Sequence, residues 1–216
     1  MQWNNEMLLP EISFLLNVVQ NVSLMGMAAY LLTRLPAFQR TLSSTQGSLV
    51  DKLLLGSVFG LISASGNWIG IPVHGAIANT RIVGAIVGGL VGGPIVGLIA
   101  GLIGAFARYF MGGFTVWPAM LSNIIVGVFC GLVHSKYGAQ GISLQRAFAV
   151  SVVSEGILKI MILLMAKPFE SAWKLEQTIG LPTMIGNSLA VVFFIYIFRD
   201  IIQEQQKKQA FSAQQA

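Results

Sequence analysis

Six apolar runs, near residues 12–33, 52–71, 82–108, 114–134, 147–166 and 180–199, occupy most of the chain. A helix that crosses the hydrocarbon of a bilayer needs about 20 such residues, so each run has roughly the length of a span. Charged side chains make up 10% of the 216 residues and the mean hydropathy is +0.74. Soluble domains carry about 25% charge, which leaves lipid as the expected solvent. The fold expected is all-α: a polytopic helical membrane protein with six full or partial apolar segments. Residues 1–200 form one transmembrane domain, and the polar stretch 201–216 begins a cytoplasmic helix or tail.

Most runs end at polar or helix-breaking residues, as at Arg34 and Pro36, at Pro72, and at Lys167 and Pro168. The 82–108 run differs, because Gly88-Gly89 and Gly92-Gly93-Pro94 interrupt its middle. Proline has no N–H and disfavours helix at the residue before it, which predicts two short helices, near 80–92 and 94–108, folded as a hairpin. Pro94, Gly97, Gly101 and Gly104 then make one face of the second helix nearly free of side chains, and Gly84, Gly88 and Gly92 mark the first; the two are expected to pack on each other. Charge asymmetry agrees with a hairpin. It places Arg34, Arg40, Lys52, Lys136, Arg146, Arg199, Lys207 and Lys208 on the cytoplasmic side and Glu6, Glu11, Glu170 and Glu176 outside, with the N-terminus outside. An unbroken helix puts the first basic loop on the wrong side.

Several function classes fall away. The net charge of +5 is spread over loops without interleaved aromatics, which argues for bilayer orientation and against nucleic acid. The single Cys130 lies in an apolar run and has no intrachain partner. The first run follows Glu6 and Glu11 and leads into Arg34 and Arg40 without a small-residue cleavage site, so it reads as a retained helix. No metal, nucleophile or phosphate-loop motif occurs, and His74 and His134 fall in loops on opposite sides. No catalytic residue, metal or cofactor is expected.

The informative residues are the polar ones in or beside apolar segments, since such groups face a cavity or a partner. In a straight helix Arg81 and Arg108 stand about 40 Å apart; in a hairpin they return to one side. Two guanidiniums converging beside Gly112, Gly113 and Thr115 suit a small anion, because the planar donor fork matches a carboxylate or phosphate. The alternative is that each reaches the lipid headgroups separately. Asn79 either N-caps the first short helix or bonds a ligand. Thr115 and Ser122 share a helix face and offer either neutral donors or interhelical bonds, as does Asn123. Glu155 and Lys159, four apart, form an intrahelical pair or face a ligand. Asn187 is expected to tie helices together.

These motifs also carry a resemblance. The stretch ANTRIVGAIVGGLVGGPIVGLIAGLIGAFARYFMGGFT resembles the signature of the LytS/YhcK-type five-transmembrane receptor family (5TMR-LYT), through Asn79-Thr80-Arg81, Pro94 with Gly97 and Gly101, Arg108-Tyr109, and Gly112 to Thr115. The membrane Glu of a later helix in that family falls on Glu155. The resemblance covers about residues 50–200 and leaves the 12–33 helix as an addition. It implies a sensory domain of a bacterial inner-membrane receptor with a cytoplasmic histidine kinase or diguanylate cyclase output, and no output module lies within this chain. Where family members often carry a small residue and a Cys after that last motif, this chain has Val116-Trp117-Pro118-Ala119, which implies a reshaped pocket.

The function expected is therefore a sensor. A small anionic metabolite, a short carboxylate such as a 2-oxo acid, enters from the outer side to Arg81, Arg108, Asn79, Thr115, Ser122 and Glu155. The last helix then relays binding to the output and pairs with a second copy in a homodimer. A small-molecule-binding transport subunit resembling the substrate-binding proteins of energy-coupling-factor transporters is the alternative.

Overall fold

The computed structural model describes residues 48–214 other than His74, together with Ser23, Met27 and Tyr30. The span expected at 12–33 thus lies outside the described residues, save for those three, each of which is helical. Within the described residues 48–214, six helices and one small hairpin follow in order: α1 (Leu49–Trp68), β1 (Ile71–Val73), β2 (Ala76–Ala78), α2 (Arg81–Gly92), α3 (Pro94–Tyr109), α4 (Val116–Tyr137), α5 (Leu144–Met165) and α6 (Phe169–Gln214). Among the described residues, α1, α4, α5 and the Phe169–Gln203 part of α6 are long and apolar enough to cross a membrane.

Helix starts follow local chemistry. Ser48 caps α1, its Oγ accepting from the Asp51 N–H at 3.1 Å and donating to the Asp51 carboxylate at 2.7 Å. Ser143 caps α5 in the same way, accepting from Arg146 N–H at 3.2 Å. The hairpin of β1 and β2 was not expected from the sequence. It pairs Ile71 with Ala78 and Val73 with Ala76, and turns at Gly75, whose φ of +78° suits glycine.

The break in the 82–108 run is real. Helix α2 stops at Gly92, Gly93 turns the chain at a φ of +85°, and Pro94 starts α3. Each arm is short, about 18 Å and 24 Å at 1.5 Å per residue, against a hydrocarbon core of about 30 Å. All twelve residues of α2 are buried, which makes it the central post of the bundle. Leu55 and Phe59 of α1, Val126 and Cys130 of α4, and Phe194 and Phe198 of α6 share its core.

The glycine stripes serve other helices more than each other. A Cβ on Gly97 would strike the Gly127 carbonyl of α4, and one on Gly101 would sit 2.7 Å from the Asn123 carbonyl. A Cβ on Gly84 would meet the backbone of α1 at Ser63, 2.6 Å away. The stripes also let the two arms pack on each other as expected: a Cβ on Gly97 would sit 2.9 Å from Gly89 Cα, and one on Gly92 would sit 2.6 Å from Val96.

The tip of the hairpin poses a hydrogen-bonding problem that α4 solves. The Leu90 carbonyl would bond the N–H four residues on, but that residue is Pro94. His134 fills the gap with Nδ1, 2.8 Å from the Leu90 oxygen. A carbonyl only accepts, so Nδ1 carries the proton. Gly131, one turn earlier, lets α4 approach, because a Cβ there would run into Pro94. His134→Ala should lower the thermal unfolding midpoint in detergent by an amount worth about 1–3 kcal/mol, the cost of a buried carbonyl left unpaired. His134→Asn, which keeps a donor, should recover part of the loss; a midpoint unchanged in His134→Ala would show that water serves Leu90 instead.

Candidate functional site

Polar groups gather at the end of the bundle opposite the hairpin tip, where β1 and β2 lead into α2 and β2 meets α6. Arg81 is the first residue of α2, and its backbone is pinned there: the Ser63 hydroxyl donates to its carbonyl at 2.7 Å, and Gly66 leaves room for its main chain. The guanidinium donates from Nη1 to Asn79 Oδ1 at 2.8 Å and, at a long 3.5 Å, from Nη2 to the Ala119 carbonyl. Arg108 lies at the end of α3 and donates to the Gly112 carbonyl at 2.8 Å and to Thr115 Oγ1 at 3.1 Å. Both side chains are buried, and the Nε of each is buried with no partner.

Among the described residues, no carboxylate lies within ion-pair distance of either arginine. Glu155, fully buried in α5, is committed elsewhere: Oε2 accepts from Lys159 Nζ at 2.9 Å, and Oε1 accepts from Asn187 Nδ2 at 2.6 Å. Lys159 also donates to Thr183 Oγ1 at 3.1 Å and lies 3.9 Å from Glu176. Asn187 reaches the Asn79 carbonyl at 3.4 Å, which closes the ring of contacts back to Arg81. Arg81, Arg108 and Lys159 thus stand in this cluster with the two carboxylates Glu155 and Glu176.

A cavity of about 30 Å³ lies inside the ring. At about 10–15 Å³ per water it holds two or three waters, or part of a small organic acid. Its polar walls are Asn79, Arg81, Thr115, Glu155, Lys159, Glu176, Thr183 and Asn187, and its apolar walls come from Ala76, Ile77, Ala119, Leu158, Ile162, Leu175 and Ile179.

The sequence expectations meet this geometry unevenly. Arg81 and Arg108 do return to one end of the bundle, at the start of α2 and in the last turn of α3. Only Arg81 lines the cavity; Arg108 stands behind Thr115 with its fork spent on the α3–α4 loop. Asn79 does not cap α2. Thr80 occupies that position, with no side-chain bond to the helix start; the charged Arg81 donor takes the Asn79 oxygen and Asn79 Nδ2 is turned to Asn67, 3.3 Å away. Thr115 lines the cavity, whereas the Ser122 hydroxyl is turned back to the Ala119 carbonyl at 3.1 Å. Asn123 ties α1 and α3 to α4 through Ser63 Oγ and the Gly101 carbonyl, both at 3.1 Å. The Glu155–Lys159 pair forms, and both residues also face the cavity. Asn187 ties α6 to α5 as expected and lines the cavity as well.

Glu176 and Thr183 also line the cavity, although the charge pattern of the sequence places Glu176 outside and does not single out Thr183. Helix α6 begins at Phe169 and brings the Glu176 carboxylate to the cavity wall. The signal was helical spacing. Glu176, Thr183 and Asn187 are seven and four residues apart, on one face.

Comparison with known proteins completes the picture. The family model 5TMR of 5TMR-LYT matches residues 35–201. The chain is 35% identical over 195 residues to the sensor histidine kinase BtsS of Escherichia coli (strain K12), covering 88% of this chain and 35% of that protein. It is 30% identical over 218 residues to the sensor protein LytS of Bacillus subtilis (strain 168), covering 92% of this chain and 36% of that protein. The sensor histidine kinase YpdA of Escherichia coli (strain K12) matches at 27% over 210 residues, 94% of this chain and 36% of its own length. The chain thus spans about a third of the length of these relatives. No solved structure matches. With the Asn79–Arg81 and Arg108–Thr115 motifs in place at one end of a helical bundle built on a broken hairpin, the chain belongs to the 5TMR-LYT family of membrane sensory domains.

Proposed function

We propose that this chain is the membrane-embedded sensory domain of a bacterial signal-transduction receptor, that it binds a short carboxylate at the Arg81 cavity, and that α6 relays occupancy to a cytoplasmic histidine kinase or cyclase. One observation carries the ligand reading. Two buried guanidiniums have no carboxylate within ion-pair distance among the described residues, and each keeps an unpartnered Nε. Buried charge is costly unless an opposite charge offsets it, so the cavity calls for an anion. Its small volume favours a molecule of few heavy atoms, and a 2-oxo acid such as pyruvate has the required carboxylate. Arg81 meets the ligand directly. Arg108 acts one layer back by holding Thr115.

The charge pattern supports an inner-membrane orientation with the cavity outside and the C-terminus in the cytoplasm. Lys52, Lys136, Arg146 and Arg199 all lie toward the end of the bundle that holds the hairpin tip. At the cavity end, Phe106, Tyr109, Phe110 and Trp117 make an exposed aromatic group with ring centroids 4.9–6.2 Å apart, as befits a membrane interface. The relay reading rests on α6. It runs 46 residues from Phe169 to Gln214, past the cavity wall, about 69 Å at 1.5 Å per residue and more than twice the hydrocarbon thickness. A capture subunit for transport has no need of such a rod. Pairing of two copies along α6 completes the proposed relay.

Titration of pyruvate and related short carboxylates into the purified chain tests the ligand site. Arg81→Lys keeps the charge and loses the fork, and should weaken binding more than tenfold, about 1.4 kcal/mol. Arg108→Lys should weaken it less, since it acts through Thr115. If no carboxylate or phosphate binds, or both variants match the wild type, the anion reading fails. For the relay, Ile202→Pro in a receptor carrying its output module should abolish ligand-dependent output while affinity stays within about twofold. Output that persists in that variant would make α6 a passive tether.

A further inference from the structure

One face of α1 governs how Arg81 is presented. Ser63 and Gly66 fix its backbone, and Asn67, the next residue, reaches its side chain through Asn79. Asn67 is fully buried and does not line the cavity, yet both ends of its amide are used. Nδ2 donates to the Gly104 carbonyl of α3 at 3.3 Å, and Oδ1 accepts from Asn79 Nδ2 at 3.3 Å. Asn79 Oδ1 then accepts from Arg81 Nη1 at 2.8 Å. The two ends of this chain fix its direction. A carbonyl only accepts and a guanidinium only donates, so each amide between them has a single orientation that pairs every donor with an acceptor. Turning Asn67 over would set its oxygen against the Gly104 oxygen and its nitrogen against that of Asn79.

The Asn79 bond decides which edge of the guanidinium stays available. Nη1 is committed, Nη2 has only its 3.5 Å bond to the Ala119 carbonyl, and Nε has no partner. Nε and Nη2 donate in parallel along one edge, the geometry that takes both oxygens of a carboxylate. Resting on the anion-receptor reading above, we infer that Asn67 is a positioning residue of that site: acting through Asn79, it holds Nη1 and leaves the Nε–Nη2 edge of Arg81 for the anion. Without Asn67 the Asn79 amide is free to turn its nitrogen on Arg81, donor against donor. The guanidinium then loses its fixed bearing, and the cost of ordering it falls on binding.

Pyruvate, titrated calorimetrically into the whole chain in detergent, is the probe. Asn67→Leu, close to Asn in size, should weaken binding about tenfold, and Asn79→Ala by a similar factor. The double variant should lose little more than either, because both break one chain; independent sites would multiply to about a hundredfold. His134→Ala loosens the bundle at its other end and should leave affinity within about twofold, which separates lost stability from lost binding. Nitrogen NMR of labelled arginine adds a readout that needs no ligand. The Arg81 Nη signals, assigned by their absence in Arg81→Lys, should stay apart while Asn79 holds Nη1, and should merge in Asn67→Leu but not in His134→Ala. Should Asn67→Leu fail to fold, Asn67→Ser takes its place, since its hydroxyl can bond its own helix but is too short to span both partners. Unchanged affinity, Asn67 and Asn79 effects that multiply, an equal loss in His134→Ala, or unchanged Arg81 signals each overturn the inference and leave Asn67 a tie between α1 and α3. In those outcomes pyruvate still binds the wild type and Arg81→Lys still weakens it, so the anion receptor stands. A wild type that binds no carboxylate removes both.

Discussion

In a bilayer no water reaches the backbone, so every break in a helix must find its hydrogen bonds inside the protein. The Leu90 carbonyl is where this chain meets that constraint. Pro94 removes its natural donor, and the His134 ring replaces it from α4. The replacement works only because Gly131 and Gly127 bring α4 against the hairpin, with Pro94 and Gly97 lying where their side chains would be. Once the tip is secured, α3 must run back beside α2, and Arg108 returns to the end where Arg81 began. The site is thus a consequence of the turn. A straight helix would have buried one guanidinium at each face of the membrane and joined neither to a cavity.

Local chemistry explains what was legible beforehand. A Gly-Gly-Pro sequence inside an apolar run breaks a helix whatever surrounds it, so the hairpin and the shared end of the two arginines followed from residues 92–94 alone. Seven-residue spacing likewise put Thr115 and Ser122 on one face. Which of the two reaches the cavity depended on the rotation of α4 against its neighbours, and that is a tertiary property. The same holds for Arg108, whose fork is taken by a carbonyl in a loop shaped by Gly112 and Gly113 at φ values of +64° and +90°. The start of α6 was hidden for a different reason. The residues after Pro168 include Glu170, Lys174 and Glu176, so they read as an aqueous loop; yet all are good helix formers, and the cavity offers Glu176 an inward position that hydropathy does not register.

The cluster also shows why polar groups persist where hydrophobic ones would pack at less cost. Replacing a buried ion pair by apolar residues is often neutral or stabilising. Glu155 and Lys159 on their own would therefore be weak evidence of function. Their partners change that judgement. Glu155 bonds Asn187, and Lys159 bonds Thr183, so each member of the pair holds α5 to a different turn of α6. Asn187 in turn bonds the segment that precedes Arg81. The pair thus links the cavity wall to α6.

A ligand shifts a conformational equilibrium only by as much as it binds one state better than the other. On the proposed reading that difference must arise where the anion touches α6, and the contacts limit it to the stretch from Leu175 to Asn187. Pro182 lies within this stretch and removes one of the helix's own hydrogen bonds, leaving it the part of α6 least held by its backbone. Beside the proline, the Thr183 hydroxyl donates to the Ile179 carbonyl at 2.7 Å while accepting from Lys159. An anion in the cavity competes with Glu155 for Lys159, and any movement of Lys159 withdraws a hydrogen bond from Thr183 beside the proline. Each such bond is worth about 1–3 kcal/mol, enough to change a two-state balance by roughly tenfold without moving the bundle around it. On the proposed reading, α6 is therefore weakest where the ligand acts on it.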